Sequence, residues 1–256
     1  MRRQFNIGFQ AALLAIIGLQ TSPLLAKEVP SLVSTEVLLT SAAGHKLAVM
    51  DAVQFSSVDP RAGVAQVQID PLMTRQTVTG IGTSFTESSA FVLAHLPEAA
   101  RRSVMAQLFS DQGANFSLAR TTIGATDFSV EGKYDYAPVA DDLDLQHFSI
   151  AEDRLGFDPA RYPGVIARDF DLLPMINEAL TIKQGQADSS LRIIASAWTA
   201  PPWMKDIAGY YQPGTAENNY QGTGGQLKPG YESVYADYLL RYLDAYAAAG
   251  VPIWGL

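Results

Sequence analysis

The sequence predicts an α/β fold of repeating strand–helix units, with a short β-rich stretch in front of it. Three observations predict this. From about Gln76 onward, segments of strand-like and helix-like pattern alternate. "LRIIASAW", Leu191 to Trp198, is a continuous apolar run, which suits a strand inside a parallel sheet covered on both faces. Long polar and aromatic excursions follow two of the strands, and loops at strand C-terminal ends are where such folds carry chemistry. A (β/α)8 barrel and an open doubly wound sheet both fit this grammar. A dinucleotide-binding version does not, because Gly80-Ile81-Gly82 lacks the third glycine of GxGxxG.

Taken in order, the N-terminus stands apart. Arg2 and Arg3 precede the apolar run "AALLAIIGL" (Ala11 to Leu19), and "SPLLA" ends at Ala26 before Lys27. A basic start, a short apolar core and a small residue at the exit make a cleavable secretory signal, cut after Ala26, and the run is too short to span a bilayer. The expected location is therefore secreted or periplasmic. Residues 27–76 read as the strands of a small β side domain, with "TEVLLTS", "KLAVM" and "VAQVQID" separated by the turn signals "AAG" and "DPRAG". Residues 77–256 carry the βα units. "QTVTGIGTSF" is a strand running into a glycine-bearing loop. "LPEAARRSVMAQLFSDQG" is a helix opened by Pro97 and stopped by Gly113, with Val104, Met105, Leu108 and Phe109 on one face. "NFSLARTTIG" is the second strand. After an excursion to about Arg168, "DFDLLPMINEALTIKQG" repeats Leu173, Ile176 and Leu180 at helical spacing. "LRIIASAW" is the third strand. In "YESVYADYLLRYLDAYAAAG" the residues Tyr235, Leu239, Tyr242 and Tyr246 form an apolar stripe ended by Gly250. "VPIWGL" begins a fourth strand.

Composition excludes several classes. The formal charge is −8, and it becomes −10 when the signal leaves, because Arg2 and Arg3 go with it and no acid does. No cluster of Lys and Arg offers a phosphate backbone a partner, so nucleic acid is excluded. The acids gather between Asp127 and Asp171, where "DDLDL" reads as a solvated face. The chain has no Cys, hence neither disulfides nor thiolate metal sites. No motif calls for a metal or an organic cofactor, no further apolar run is long enough for a transmembrane segment, and oligomeric state is unread.

Two segments carry candidate chemistry. In "IIASAWTAPPWMKD", Trp198 ends a buried strand and Pro201-Pro202 stiffen the loop that carries Trp203; flat aromatic rings stack on pyranose faces. A tryptophan in that place also serves as core. "ARTTIGATDFS" ends a strand with Arg120 and puts Asp127 on the loop beyond, and such a pair also serves as a structural ion pair. In order and at these intervals, "GIGTSFTES", "LARTTIGATDFS", "HFSI", "LLPMINEAL", "ASAWTAPPWMK" and "GVPIWGL" resemble glycoside hydrolase family 30, whose members include glucosylceramidase-like enzymes and endo-β-1,6-glucanases. The resemblance covers roughly residues 65–256.

It implies a retaining β-glycosidase on a (β/α)8 TIM barrel, of which about the first four βα units lie in this chain, with a small β side domain attached. By position, Arg120 matches the arginine beside the family's nucleophile, and Asp127 and Trp198 match residues that bind the sugar nearest the cleavage point. Glu87 matches an acidic loop position that reads as structural. In the family, the strand matching "VPIWGL" runs into Thr-x-x-Asn-Glu-Pro, whose Glu is the acid/base, and a later Glu is the nucleophile. Both are expected beyond Leu256, so the expected catalytic set in this chain is empty, and the chain alone, a fragment of the enzyme, is expected to be inactive. Asp127, Glu131, Asp135 and the "DDLD" run are loop-borne carboxylates, but solvated loops do not raise a pKa as a general acid requires. The expected substrate is a β-linked glucoside or glucan, of the glucosylceramide or β-1,6-glucan type. The alternative is a non-catalytic carbohydrate-binding protein or a remnant.

Overall fold

The computed structural model describes residues 35–53, 63–68, 70, 72–207 and 209–256. The expected signal segment, 1–26, lies outside the described residues. The chain divides into two compact units, Met1–Thr74 and Arg75–Leu256.

In the first unit, β1 (Thr35–Leu39) and β2 (Ala48–Val53) form an antiparallel hairpin, with Leu39 opposite Ala48 and an irregularity between Thr35 and Val37. Gly44 turns the chain at φ 97°, a value that glycine adopts without strain. The expected strand "VAQVQID" differs: among its described residues none is in a strand, and Val64 and Val67 are exposed. High β-propensity makes a strand only where a neighbouring edge supplies hydrogen-bond partners.

The second unit is built on a parallel sheet in the order β3 (Gly82–Ser84), β4 (Leu118–Ile123), β5 (Arg192–Ala197). "VPIWGL" lies parallel beside β5: Trp254 N donates to Ile193 O at 2.7 Å and Ala195 N to Gly255 O at 2.8 Å. It forms an isolated bridge, Ile194 to Gly255, where the sequence reads as the beginning of a strand. Gly82 lets β3 approach β4, because a Cβ there would sit 1.6 Å from Leu118 O.

Four helices connect these strands: α1 (Glu87–Ala94), α2 (Glu98–Phe109), α3 (Leu172–Gln184) and α4 (Glu232–Ala248). α1 falls where the sequence reads as loop. Thr86 opens it, its hydroxyl accepting from Ser89 N at 3.1 Å. α2 starts right after Pro97, and its buried Met105 and Phe109 belong to the expected face. In α3, Leu173 and Ile176 are buried as expected, with Leu172, Met175 and Ala179 beside them. α4 buries Tyr242 and Tyr246 of the expected stripe and encloses Tyr238 with them, whereas Tyr235 and Leu239 are half-buried. The face is set by what it meets. Tyr136 from the excursion after β4 stacks on Tyr242 at 5.8 Å, and Phe148 meets Tyr238 edge-on at 5.6 Å.

Beneath these rings Asp153 is fully buried. It accepts from Tyr136 Oη at 2.7 Å, Tyr246 Oη at 2.5 Å and Tyr134 Oη at 3.1 Å. Burial pushes its carboxyl up to about 7, while the three hydroxyls pull the other way. One acid thus ties the excursion after β4 to α4.

Candidate active site

Ile123 and Ala197 are register partners, so the chain segments leaving β4 and β5 start side by side at the C-terminal edge of the sheet. Gly124 makes the first turn at φ 76°, with the position of a Cβ only 3.1 Å from Tyr134 O. A Thr/Ser turn follows. Thr126 N donates to Ser129 Oγ at 2.9 Å and Phe128 N to Thr126 Oγ1 at 3.1 Å, which leaves Asp127 at the tip and exposed. Trp198 is the first residue after β5. Its indole Nε1 donates to Asp127 Oδ2 at 3.3 Å. Lys133 Nζ holds the other carboxylate oxygen, Oδ1, at 3.2 Å and also donates to Thr126 O at 2.8 Å. The hydrogen bond from Lys133, then that from Trp198, holds the Asp127 carboxyl below its ordinary value. It is an ionised acceptor facing solvent.

Arg120 corrects one detail of the sequence reading. It is the third residue of β4, which continues to Ile123, and not the strand's end. Its exposed guanidinium lies 5.0 Å from the Trp198 ring centroid, a cation–π contact. It forms no ion pair with Asp127 among the described residues; the ionic partner of Asp127 is Lys133. The structure therefore brings Arg120, Asp127 and Trp198 into one cluster. A cavity of about 190 Å³ opens beside it, lined by Asp127, Lys133, Trp198, Thr199, Tyr210 and Tyr211 among others.

Other groups serve the frame. Glu87, the first residue of α1, is buried and accepts from Val130 N at 2.7 Å and Glu131 N at 2.9 Å; burial raises its pKa against these bonds. Trp203 Nε1 donates to Ala137 O at 2.8 Å, so this second tryptophan braces the two excursions together. The loop acids are occupied as well: Glu131 pairs with Arg161, Asp135 accepts from Tyr210 Oη at 2.8 Å, and Asp142 accepts from His147 N at 2.8 Å. A larger hollow of about 420 Å³ between β3, α1 and α2 is lined by groups such as Phe85, Val92 and Leu108 and holds no charged group. Among the described residues no group of three His, Cys, Asp or Glu is arranged to hold a metal ion.

Sequence reasoning missed three residues of this region. Lys133 and Tyr211 sit in excursions without local pattern, their rings and charges brought together only by folding. Lys205 is buried, and its ammonium donates to Thr199 Oγ1 at 2.5 Å, Tyr210 O at 2.7 Å and Gly224 O at 2.9 Å. Desolvation lowers its pKa. The one available signal is a lysine directly after the apolar pair Trp203-Met204, which places a cation at the edge of the core.

Comparison with known proteins identifies the family. The family description "Glycosyl hydrolase family 30 TIM-barrel domain" matches residues 78–256. An endo-1,6-beta-D-glucanase of Neurospora crassa is 31% identical over 179 residues, covering 70% of this chain and 32% of that protein. Lysosomal acid glucosylceramidase of Mus musculus is 25% identical over 182 residues, covering 71% of this chain and 30% of its own length. Among solved structures, SrfJ from Salmonella typhimurium superposes with a TM-score of 0.62 at 25% identity, over 87% of this chain and 41% of that one. The endo-beta1,6-glucanase BT3312 superposes with a TM-score of 0.54 at 26% identity, over 82% and 39%. The chain thus spans about a third of the length of the relatives it matches. On the strength of a family match over most of its length, the chain belongs to glycosyl hydrolase family 30.

Proposed function

We propose that this chain supplies the sugar-gripping part of a retaining β-glycosidase that acts on β-linked glucosides or glucans. The observation that carries the reading is the Asp127 carboxylate held between Lys133 and the indole of Trp198, with Arg120 against the same indole. An ionised carboxylate accepts two hydrogen bonds from adjacent hydroxyls, and an indole covers the apolar face of a pyranose. Both occur here on neighbouring strand ends, within reach of one ring. Arg120, without a carboxylate partner among the described residues, is suited to hold an incoming carboxylate ionised by charge-assisted hydrogen bonds. That carboxylate would be the nucleophile.

Retaining hydrolysis needs two carboxyl groups about 5–5.5 Å apart, one attacking the anomeric carbon while the other protonates the leaving oxygen. We assign both to the part of the longer relatives that this chain does not span, so that Arg120, Asp127 and Trp198 bind and orient while the acids act from elsewhere. Their bonds to the sugar strengthen as the ring flattens toward an oxocarbenium-like transition state. We also assign residues 1–26 as a cleaved signal, residues 27–76 to the side domain and 77–256 to the barrel, with secretion or periplasmic release as the location. The names of the relatives support two substrate types, a β-1,6-glucan and a glucosylceramide.

The test is to incubate the purified gene product with β-1,6-glucan, other β-linked glucans and glucosylceramide, and to follow the anomeric proton of the released sugar by NMR. The reading expects release with the β-configuration retained from at least one of them by a polypeptide that also carries both catalytic carboxyls, and none by residues 1–256 alone. No release by the longer polypeptide either, with sugar binding intact, favours a non-catalytic carbohydrate-binding protein; inverted product refutes the retaining mechanism.

A further inference from the structure

The segment after the Asp127 turn, Lys133 to Ala137, lies in neither helix nor sheet, yet its side chains alternate like those of an extended strand. Tyr134 and Tyr136 point one way and both end on the buried Asp153, donating to Oδ1 at 3.1 Å and to Oδ2 at 2.7 Å. Lys133 and Asp135 point the other way, toward the site. Lys133 Nζ donates to Asp127 Oδ1 at 3.2 Å, and Asp135 Oδ2 accepts from Tyr210 Oη at 2.8 Å. The backbone joins the two sides, because Ala125 N, at the root of the Asp127 turn, donates to Tyr134 O at 3.0 Å. Without a strand ladder of its own, the segment takes its position from these anchors. What fixes Tyr134 therefore fixes Lys133 beside it and the turn across from it.

Asp153 is itself held. It sits on the short helical turn Ala151–Arg154, and Tyr246 Oη from α4 donates to the same Oδ2 at 2.5 Å. The groups that face it are Tyr134 and Tyr136 from the segment, Tyr242 and Tyr246 from α4, and Asp171 at the start of α3; these include no cation. Its own turn adds Glu152 and Arg154, both exposed, and Glu87 of α1 faces Tyr134. We propose that Asp153 is a positioning residue for Asp127: it holds Tyr134, and through it the segment whose Lys133 keeps the Asp127 carboxylate in place for a ligand. The proposal rests on the reading of Asp127 as a sugar-binding acid. It carries a pH dependence. An ionised Asp153 is a buried anion with no cation beside it, so loss of its proton favours states in which the segment lifts and water reaches the carboxyl. Its folded-state value of about 7 lies above the ordinary 3.8, so the hold is full in acid and fades as the pH rises through about 7. Asp127, held below its ordinary value, stays ionised across that range.

The experiment follows the indole N–H of Trp198, which donates to Asp127, by heteronuclear NMR of the purified chain, with the indole of Trp254 as reference. Methyl β-D-glucoside is titrated calorimetrically into the same samples. Tyr134→Phe is expected to move the Trp198 signal, leave that of Trp254 in place and weaken sugar binding about two- to tenfold, the scale of one lost hydrogen bond. Tyr246→Phe removes a bond of the same kind from the α4 side. It is expected to lower the melting temperature and to leave the Trp198 signal and the affinity unchanged. Asp153→Asn, which keeps an acceptor for the tyrosines, is expected to match the wild type in acid and to lose the wild type's change in the Trp198 signal centred near pH 7. A Trp198 signal that ignores Tyr134→Phe, or that moves equally in Tyr246→Phe, overturns the proposal and leaves Asp153 as a strut of the core. An identical pH profile in the wild type and Asp153→Asn overturns it as well. A chain that binds no sugar refutes the glycoside reading, and the indole signal then decides the positioning role by itself.

Discussion

Asp127 shows what a side chain gains from being held on both sides. Each carboxylate oxygen has two acceptor positions, and Lys133 and Trp198 each occupy one, which leaves one on either oxygen for a ligand. Asp127→Ala removes both and releases Lys133 and the indole together. It is expected to lower kcat/KM of the active enzyme by about 100-fold, the scale of a mispositioned substrate, while the melting temperature stays unchanged because the residue is exposed. Steady-state kinetics with a melting curve checks both halves. Lys205 is the opposite case, a buried cation whose partners are three neutral oxygens. Lys205→Met is expected to destabilise by about 2 kcal/mol, because the lost charge-assisted bonds outweigh the relief of desolvation, and urea unfolding reads it. Asp127 and Trp198 were legible in the sequence because motif order singles them out. Lys133, Lys205 and Tyr211 were not, since their contacts join positions that no local pattern connects.

At the scale of elements, periodicity located α2, α3, α4, β4 and β5 because each is long enough to repeat. α1 has eight residues, "ESSAFVLA", too few for a stripe to stand out, and its cap Thr86 reads equally well as a loop threonine. Thr86→Ala is expected to cost about 1 kcal/mol, measurable by urea unfolding. On α4 the expected Tyr242 and Tyr246 are enclosed, but Tyr238 joins them ahead of Tyr235 and Leu239 because Tyr136 and Asp153, remote in sequence, decide which rings are enclosed. Asp153 also couples the elements to pH. Its folded-state value, about 7, lies above the ordinary 3.8, so between these values the folded chain holds a proton that the unfolded chain has released. Its contribution to stability is complete below about pH 3.8 and is lost as the pH rises through about 7. The melting temperature is expected to fall between pH 5 and pH 8, and Asp153→Asn, which still accepts from the tyrosines, is expected to flatten that slope. A slope identical in wild type and variant contradicts the assignment.

For the whole molecule, the parallel order β3, β4, β5 with "VPIWGL" beside β5 is the arrangement that repeating βα units produce, and it brings the two chemically loaded excursions to one edge of the sheet. The sequence could not decide between a closed barrel and an open sheet by pattern alone, because both share the same local grammar. The family match to a TIM-barrel domain supplies that distinction. The "VAQVQID" segment marks the limit of propensity in the other unit, where no partner edge meets it among the described residues. The central claim is that Arg120, Asp127 and Trp198 together grip a β-linked glucose. Its most direct test is calorimetric titration of methyl β-D-glucoside into the wild type, Asp127→Ala and Trp198→Ala, each shown to be folded by circular dichroism. The account predicts saturable binding by the wild type, abolished by Asp127→Ala and weakened about tenfold by Trp198→Ala. Binding that survives both substitutions unchanged, or no binding by a folded wild type, contradicts it.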